Sequence, residues 1–231
     1  MSRRKMDMNA EQILTQIMDD WIWTRLHKNK VGNINSYERE YEKKKQINGT
    51  DVWLYTKNNN KLSIDEKAQL YYINKNLPTF AFELSFIGQD GSLRNGWFVN
   101  ETLDTNMYML VYPYATTTNV SELVYNSFTK LECILISKNN IWKELNKFGL
   151  TKEFLLKEID KIRKENKIGR HRFENIDWCY LNMSNVNDYS ETPINIVIKR
   201  EKLIQLANQT FLATKEKLVL GKGNEKGLKI F

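Results

Sequence analysis

The chain has 231 residues, of which 41% are hydrophobic, and a formal net charge of +7 at pH 7, a size that fits one large domain or one domain with an appendage. Ten glycines and three prolines exclude a fibrous or low-complexity protein, and two cysteines and two histidines exclude a disulfide framework or a histidine-rich metal site. The positive charge favours a polyanionic partner such as nucleic acid about as strongly as it favours a lysine-rich soluble surface.

The first residues, MSRRKMDMNAEQ, have no apolar stretch behind their charges, so the sequence shows no secretory signal. No run in the chain approaches the ~18 apolar residues that a membrane-spanning helix needs. We therefore expect a soluble cytoplasmic protein without a membrane partner. Its oligomeric state is left open, a homodimer included.

Two helices are predicted before the first strand. Residues 10–26 carry one apolar stripe at i, i+3, i+4 and i+7, formed by Leu14, Ile17, Met18 and Trp21. Residues 36–45 form a mostly polar second helix, on which Glu38 and Glu42 share a face. That face is either solvated and supported by Glu–Lys pairs, or directed at a polar cleft.

A β-hairpin follows, with strands over residues 51–56 and 61–68 joined by a polar turn of three asparagines. Asp51 opens the first strand. Asp65 and Lys67 lie two residues apart on the second, so the period of two places both side chains on one face of the sheet. Gln69 continues this face if the strand extends that far.

The rest of the chain predicts an α/β domain with a mixed central sheet flanked by helices, spanning residues 1–214 and followed by a basic tail, 215–231. Strands are expected over residues 79–86, 97–99, 107–112 (ended by Pro113), 131–136, 176–181 and 194–198. Helices are expected over residues 139–147, 151–166 (capped by Thr151) and 200–213.

The hairpin brings together the residue types that metal-dependent phosphodiester hydrolysis requires. Asp51 and Asp65 are carboxylates that could hold Mg²⁺ or Mn²⁺, and the backbone carbonyl of Glu66 is a third candidate ligand. Lys67 could orient the attacking water and stabilise the developing negative charge. Aspartate and lysine two residues apart are also ordinary on the solvent face of a hairpin.

Thr50-Asp51 followed by Asp65-Glu66-Lys67 resembles the motif of the PD-(D/E)XK nuclease superfamily over roughly residues 36–86. The resemblance implies a restriction-endonuclease-like core and a divalent metal site. It also implies that an acid from the early helix, Glu38 or Glu42, joins the site. Thr50 stands where the family has proline, and Glu66 occupies a position that is usually apolar or small. A carboxylate there points toward the packed side of the strand and needs a partner, so Glu66 either has a buried cation or lies near the strand end.

A basic segment near residue 165 is the second candidate for contact with DNA. Its cations could bind phosphates, or they could be a solvated helix end whose charges favour the helix dipole. The candidate phosphate-binding residues are Lys161, Arg163, Lys164, Lys167, Arg170 and Arg172.

Two functions from different classes remain after the sequence is read. The first is a metal-dependent endonuclease acting on DNA, with Asp51 and Asp65 as ligands and Lys67 as the catalytic lysine. The second is a non-catalytic module of the same fold that binds nucleic acid or protein. Metal-dependent turnover distinguishes the two.

Overall fold

A computed structural model describes residues 3–29, 34–184 and 192–221. The chain divides into two compact units, one comprising residues 1–77, 105–138 and 206–231 and the other 78–104 and 139–205. The helices are α1 (Arg3–Met18), α2 (Thr24–Lys28), α3 (Lys43–Ile47), α4 (Lys138–Lys147), α5 (Lys152–Lys164) and α6 (Arg200–Leu206). The strands are β1 (Ile34–Arg39), β2 (Val52–Thr56), β3 (Lys61–Ala68), β4 (Thr79–Ile87), β5 (Leu93–Asn95), β6 (Met107–Ala115), β7 (Phe128–Ser137), β8 (Gly169–Arg172), β9 (Cys179–Met183), β10 (Ile194–Lys199), β11 (Gln209–Ala213) and β12 (Leu218–Leu220).

The first unit is built on a mixed seven-stranded sheet with the order β1-β2-β3-β6-β7-β11-β12. β3 and β6 pair in parallel, and every other neighbouring pair in this sheet is antiparallel. The hairpin β2–β3 is the predicted one, and Asn59 in its turn has a φ of 60°, a left-handed conformation that asparagine tolerates better than most residues.

One face of this sheet forms the core of the unit together with the N-terminal helical region. The predicted helical stripe is buried, and it shares one apolar cluster with Val52, Leu54 and Ile64. Between α1 and α2 the helix widens into a π-helical turn over Asp19–Trp23. Burial of both Trp21 and Trp23 in this turn fixes the helix against the sheet.

The predicted helix over residues 36–45 is wrong. Residues up to Arg39 form β1, which pairs antiparallel with β2, and α3 begins only at Lys43. In β1, Tyr37 packs against the core and Arg39 is buried, whereas Glu38 is exposed. This alternation with period two, stabilised by pairing with β2, overrides the helical propensity of the glutamates and lysines.

Two further boundaries differ from prediction. β6 continues through Pro113 to Ala115, because its pairing with β3 ends at Val111 and the missing N–H of the proline therefore breaks no ladder bond there. The last predicted helix ends at Leu206, and β11 follows. Asn208 directs the chain into the sheet, since its side chain accepts a hydrogen bond from the backbone N–H of Ser137 (2.9 Å).

The second unit is built on an antiparallel five-stranded sheet with the order β5-β4-β10-β9-β8. The strand predicted over residues 79–86 is β4, and its side chains alternate through Leu84, since Phe80, Phe82 and Leu84 are buried. Helix α5 begins where predicted, with the Thr151 hydroxyl accepting a hydrogen bond from the backbone N–H of Phe154 (3.2 Å).

Two strand predictions in the second unit need correction. Residues 97–99 form a turn, and the strand that pairs with β4 lies earlier, at Leu93–Asn95. The strand predicted over residues 176–181 is β9, which begins at Cys179.

The mixed α/β class is confirmed, but the strands form two sheets rather than one central sheet, since β4 pairs with β5 and β10 instead of joining β3. The restriction-endonuclease-like core remains a prediction. The described part of the predicted basic tail, through Gly221, contains β12 paired with β11, and residues 222–231 lie outside the described residues. None of the described helices combines the length and apolar character needed to cross a membrane.

Candidate metal and phosphodiester site

The structure brings Asp51, Asp65 and Lys67 together at the start of β2 and the end of β3. The backbone N–H of Asp51 donates to the carbonyl of Ile64 (2.9 Å), which places Asp51 beside Asp65 across the hairpin. Lys67 Nζ lies 2.6 Å from Asp65 Oδ1. The predicted shared face of Asp65 and Lys67 is therefore confirmed.

The Asp51 carboxylate is held by the backbone of β3. Its Oδ2 accepts a hydrogen bond from the backbone N–H of Glu66 (2.8 Å). Burial, followed by the charges of Glu66 and Asp65, raises the pKa of Asp51 from its ordinary value of 3.8 to about 7, although the Glu66 N–H and Lys67 lower it. The Asp51 carboxyl group therefore binds a proton more tightly than an ordinary aspartate does.

Asp65 is the more deeply placed of the two aspartates, since only 2% of its surface is exposed. Its Oδ1 is paired with Lys67, but its Oδ2 has no hydrogen-bond partner among the residues that the structure describes. Tyr108 lies opposite Asp65 in the β3–β6 register. Burial, followed by the charge of Asp65, raises the pKa of the Tyr108 hydroxyl.

An unsatisfied buried carboxylate oxygen beside a second carboxylate fits a hard divalent cation. Within residues 3–29, 34–184 and 192–221, no group of three or more His, Cys, Asp or Glu side chains is arranged to hold a metal. Mg²⁺ does not require such a group, because it keeps several waters and is often bound through one or two carboxylates and the substrate phosphate. Asp51 and Asp65 therefore fit Mg²⁺ or Mn²⁺ as a two-carboxylate site.

Glu66 points to the opposite face of β3, and the partner that its position requires is present. Its Oε2 accepts a hydrogen bond from Arg39 Nη1 (2.5 Å), and its Oε1 accepts one from the indole Nε1 of Trp23 (2.6 Å). Of the two predicted alternatives for Glu66, the buried cation is present as Arg39. Its side chain is committed to Arg39, so only the backbone carbonyl of Glu66 remains a candidate metal ligand.

Neither predicted helix acid lies on a helix that precedes the hairpin. Glu38 is on β1 and accepts a hydrogen bond from the Tyr55 hydroxyl (3.0 Å). Glu42 immediately precedes α3, and its carboxylate pairs with Lys45 (2.9 Å). Both glutamates therefore have surface partners, and the assignment of either as an acid supplied by a helix is wrong.

Sequence reasoning missed Glu40, which is 8% exposed. Its backbone N–H donates to the carbonyl of Asp51 (2.8 Å). Its side chain accepts hydrogen bonds from Trp53 Nε1 (2.9 Å) and the Glu42 N–H (2.9 Å). The bond from Trp53, followed by the one from Glu42, lowers the pKa of Glu40. A strand predicted over residues 34–39 would have identified Glu40, because it would have placed this residue directly after β1, opposite the start of β2.

Gln69 follows directly after β3, and its backbone N–H donates to the carbonyl of Val111 (3.1 Å). β3 itself ends at Ala68, so Gln69 stands at the edge of the predicted face rather than within the strand.

The basic segment lies in the second unit and runs from the end of α5 into β8. Arg163 is turned inward, where its Nη2 donates to Ser85 Oγ (2.8 Å) and to the carbonyl of Thr192 (3.2 Å). This guanidinium holds the second unit together instead of facing a phosphate. The other candidates are exposed cations: Lys161, Lys164, Lys167, Arg170 and Arg172.

Two of these exposed cations also have partners within the second unit. Lys167 pairs with Glu165 (2.6 Å), and Arg170 lies 5.1 Å from the centre of the Tyr180 ring. Lys161 and Lys164 line a concavity together with Lys157, but Asp160 and Glu165 line it as well. Phosphate binding by this segment remains a prediction.

Comparison with known proteins adds no relative to this picture. No family model, no curated protein and no solved structure matches the chain. The functional argument therefore depends on the chemistry of the site.

Proposed function

We propose that the protein is a Mg²⁺- or Mn²⁺-dependent nuclease that hydrolyses phosphodiester bonds in DNA. The observation that carries the proposal is the buried Oδ2 of Asp65, which lacks a hydrogen bond in the described structure and belongs to a carboxylate that raises the pKa of Asp51. A divalent cation between the two aspartates would satisfy that oxygen and favour the ionised form of Asp51. A carboxyl group with a perturbed pKa beside other charged groups is typical of functional sites.

The residues of the site have distinct roles in this proposal. Asp51 and Asp65 would hold the cation, which supplies charge neutralisation at the scissile phosphate and lowers the pKa of a bound water. Lys67, about one-third exposed and fixed by Asp65, places a positive charge where the pentavalent phosphate develops negative charge. The Glu66 N–H fixes one oxygen of the Asp51 carboxylate.

DNA is the proposed substrate because the chain is basic and carries exposed cations beyond the site. The net charge of +7 and the lysines and arginines around residues 161–172 would attract the phosphate backbone without reading its sequence. Binding of this kind weakens steeply as salt is raised.

A second candidate is a binding module without catalysis. It is favoured by one observation, namely that the described residues provide two site carboxylates and no third acidic side chain arranged with them. Such a module would bind DNA in a salt-dependent way and would show no metal-dependent turnover.

Nicking of supercoiled plasmid by the purified chain tests the proposal, in Mg²⁺, in Mn²⁺ and in EDTA. Lys67→Ala should reduce the cutting rate by about 10²- to 10³-fold, the effect of removing one transition-state charge contact. Lys61→Ala is the matched control, because Lys61 lies on the same strand with the same parity but stacks on Trp53 (3.8 Å), so it should cut like wild type.

Metal-dependent cutting that survives in Lys61→Ala and is lost in Lys67→Ala supports the nuclease. Equal cutting by Lys67→Ala and wild type would remove Lys67 from the mechanism. Salt-sensitive DNA binding without cutting in any metal would favour the binding module.

A further inference from the structure

We propose that Arg39 and Trp23 are positioning residues for the metal site and act on it through Glu66. This inference rests on the proposed function, because it concerns how Asp51 is held to receive a cation. Neither residue lies on the face of β3 that carries Asp65 and Lys67, and neither is expected to contact the metal or the substrate.

The side chain of Glu66 is fixed from two directions in the interior of the first unit. Arg39 Nη1 and Trp23 Nε1 bind one carboxylate oxygen each, at 2.5 and 2.6 Å. The side chain of Arg39 is 5% exposed and that of Glu66 is 11% exposed. Burial lowers the pKa of the Arg39 guanidinium, but the charges and hydrogen bonds of Glu66 and Asp19 together outweigh this effect and raise the pKa.

The π-helical turn supplies the other partners of this network. Arg39 Nη2 donates to Asp19 Oδ1 (2.6 Å), and Asp19 and Trp23 are the first and last residues of the turn. The backbone N–H of Thr24 donates to the carbonyl of Asp19, the five-residue bond that defines a π-helix. Such turns occur frequently at functional sites.

The network reaches the candidate site through one peptide group. The backbone N–H of Glu66 donates to Asp51 Oδ2, and Asp65 and Lys67 are the residues on either side of Glu66. Fixing the Glu66 side chain restrains the backbone at its Cα, and this restrains the direction of the N–H next to it. The orientation of the Asp51 carboxylate then depends on Arg39 and Trp23.

Stability alone does not require a charged network at this position. Well-packed hydrophobic residues of similar volume often replace a buried ion pair without loss of stability. Hydrogen-bonded groups behind metal ligands, in contrast, typically contribute 10- to 100-fold to metal affinity. The arrangement around Glu66 matches the second role.

Mn²⁺ binding, measured by isothermal titration calorimetry on the full chain, tests the inference without using activity. Trp23→Phe removes the indole donor to Glu66 and keeps an aromatic ring and every charge. We expect it to weaken Mn²⁺ affinity about 10-fold. Trp21→Phe is the matched control, since Trp21 is equally buried two residues earlier and donates instead to the Tyr125 hydroxyl (3.0 Å).

Both tryptophan variants should lower the melting temperature, whereas only Trp23→Phe should change Mn²⁺ affinity. If Trp23→Phe does not fold, Arg39→Lys provides the same test, because it keeps the charge and loses the forked contact with Glu66 and Asp19. Arg39→Lys should also weaken Mn²⁺ binding about 10-fold, while Arg163→Lys in the second unit should not.

The outcomes separate this inference from the proposed function. Equal Mn²⁺ affinity in wild type, Trp21→Phe, Trp23→Phe and Arg39→Lys would overturn the positioning role and leave the nuclease intact. A wild-type chain that binds no Mn²⁺ would overturn the inference, whereas the proposed function is decided by the plasmid-nicking assay. Weaker binding in Trp23→Phe and Arg39→Lys alone would establish the role.

Discussion

Consecutive residues place one carboxylate on each face of β3, and the two carboxylates differ in how many hydrogen bonds they accept. Glu66 lies on the core face, where Arg39 and Trp23 satisfy its two oxygens. Asp65 lies on the other face and is at least as deeply buried, yet one of its oxygens has no hydrogen bond in the described structure. The same strand therefore contains one satisfied and one unsatisfied buried carboxylate.

The two faces of β3 therefore have different roles, one in the fold and one in binding a ligand. A buried anion with a full set of partners contributes to a defined fold, whereas an unsatisfied one destabilises the fold and awaits a ligand. Asp51 supports this interpretation, because burial and the neighbouring carboxylates raise its pKa. The core face of β3 is complete without a ligand, and the opposite face is not.

The largest expected loss of stability comes from removing the cation that satisfies Glu66 on the core face of β3. Arg39→Met leaves Glu66 and Asp19 without their cation, and removing one partner of a buried pair costs about 3–5 kcal/mol. We expect this loss in the free energy of unfolding measured with urea. The double variant Arg39→Met with Glu66→Leu should recover most of it, because no unpaired charge remains in the core. A single variant as stable as wild type would show that Glu66 does not depend on Arg39.

On the face of β3 that carries Asp65, the contribution of the neighbouring Asp51 to stability should depend on pH. The folded pKa of Asp51, about 7, lies above its ordinary value of 3.8, so the folded state binds this proton more tightly than the unfolded state. The stability from Asp51 is therefore fully present below about pH 4 and is lost as the pH rises through 7.

The measurement is the difference in unfolding free energy between wild type and Asp51→Asn in metal-free buffer. Asparagine keeps an acceptor for the Glu66 N–H but does not ionise. Relative to Asp51→Asn, wild type should lose a few kcal/mol of unfolding free energy between pH 4 and pH 8. A difference that is constant with pH would contradict the raised pKa, and excess Mg²⁺ should reduce the change if the proposed site binds it.

The candidate site was predictable from the sequence because it depends on local spacing. The hairpin was recognisable from its asparagine turn and its alternating strands, and the period of two placed Asp65 and Lys67 on one face. The same period predicted that Glu66 faces the packed side and needs a partner. These predictions involve residues within one pair of adjacent strands.

The identity of that partner was not predictable in the same way. Arg39 lies 27 residues before Glu66, and Trp23 lies 43 residues before it, so only tertiary folding brings them together. The glutamates and lysines at residues 36–45 have good helix propensity, which concealed a strand whose inward positions include Tyr37 and Arg39. The placement of β4 in a second sheet likewise depends on pairing with β10, which local pattern does not reveal.

The smallest expected effect comes from an ion pair at the surface beside the same hairpin. Lys45 pairs with Glu42 (2.9 Å) and Glu40 (3.5 Å), but half of its side chain is exposed. Solvent screens such pairs, so Lys45→Ala should leave the urea midpoint of unfolding unchanged within error at physiological and at molar salt. Glu40 keeps its bonds from Trp53 and the Glu42 N–H in this variant. If Lys45→Ala lost as much unfolding free energy as Arg39→Met, burial would not explain why the Arg39–Glu66 pair matters more than a surface pair.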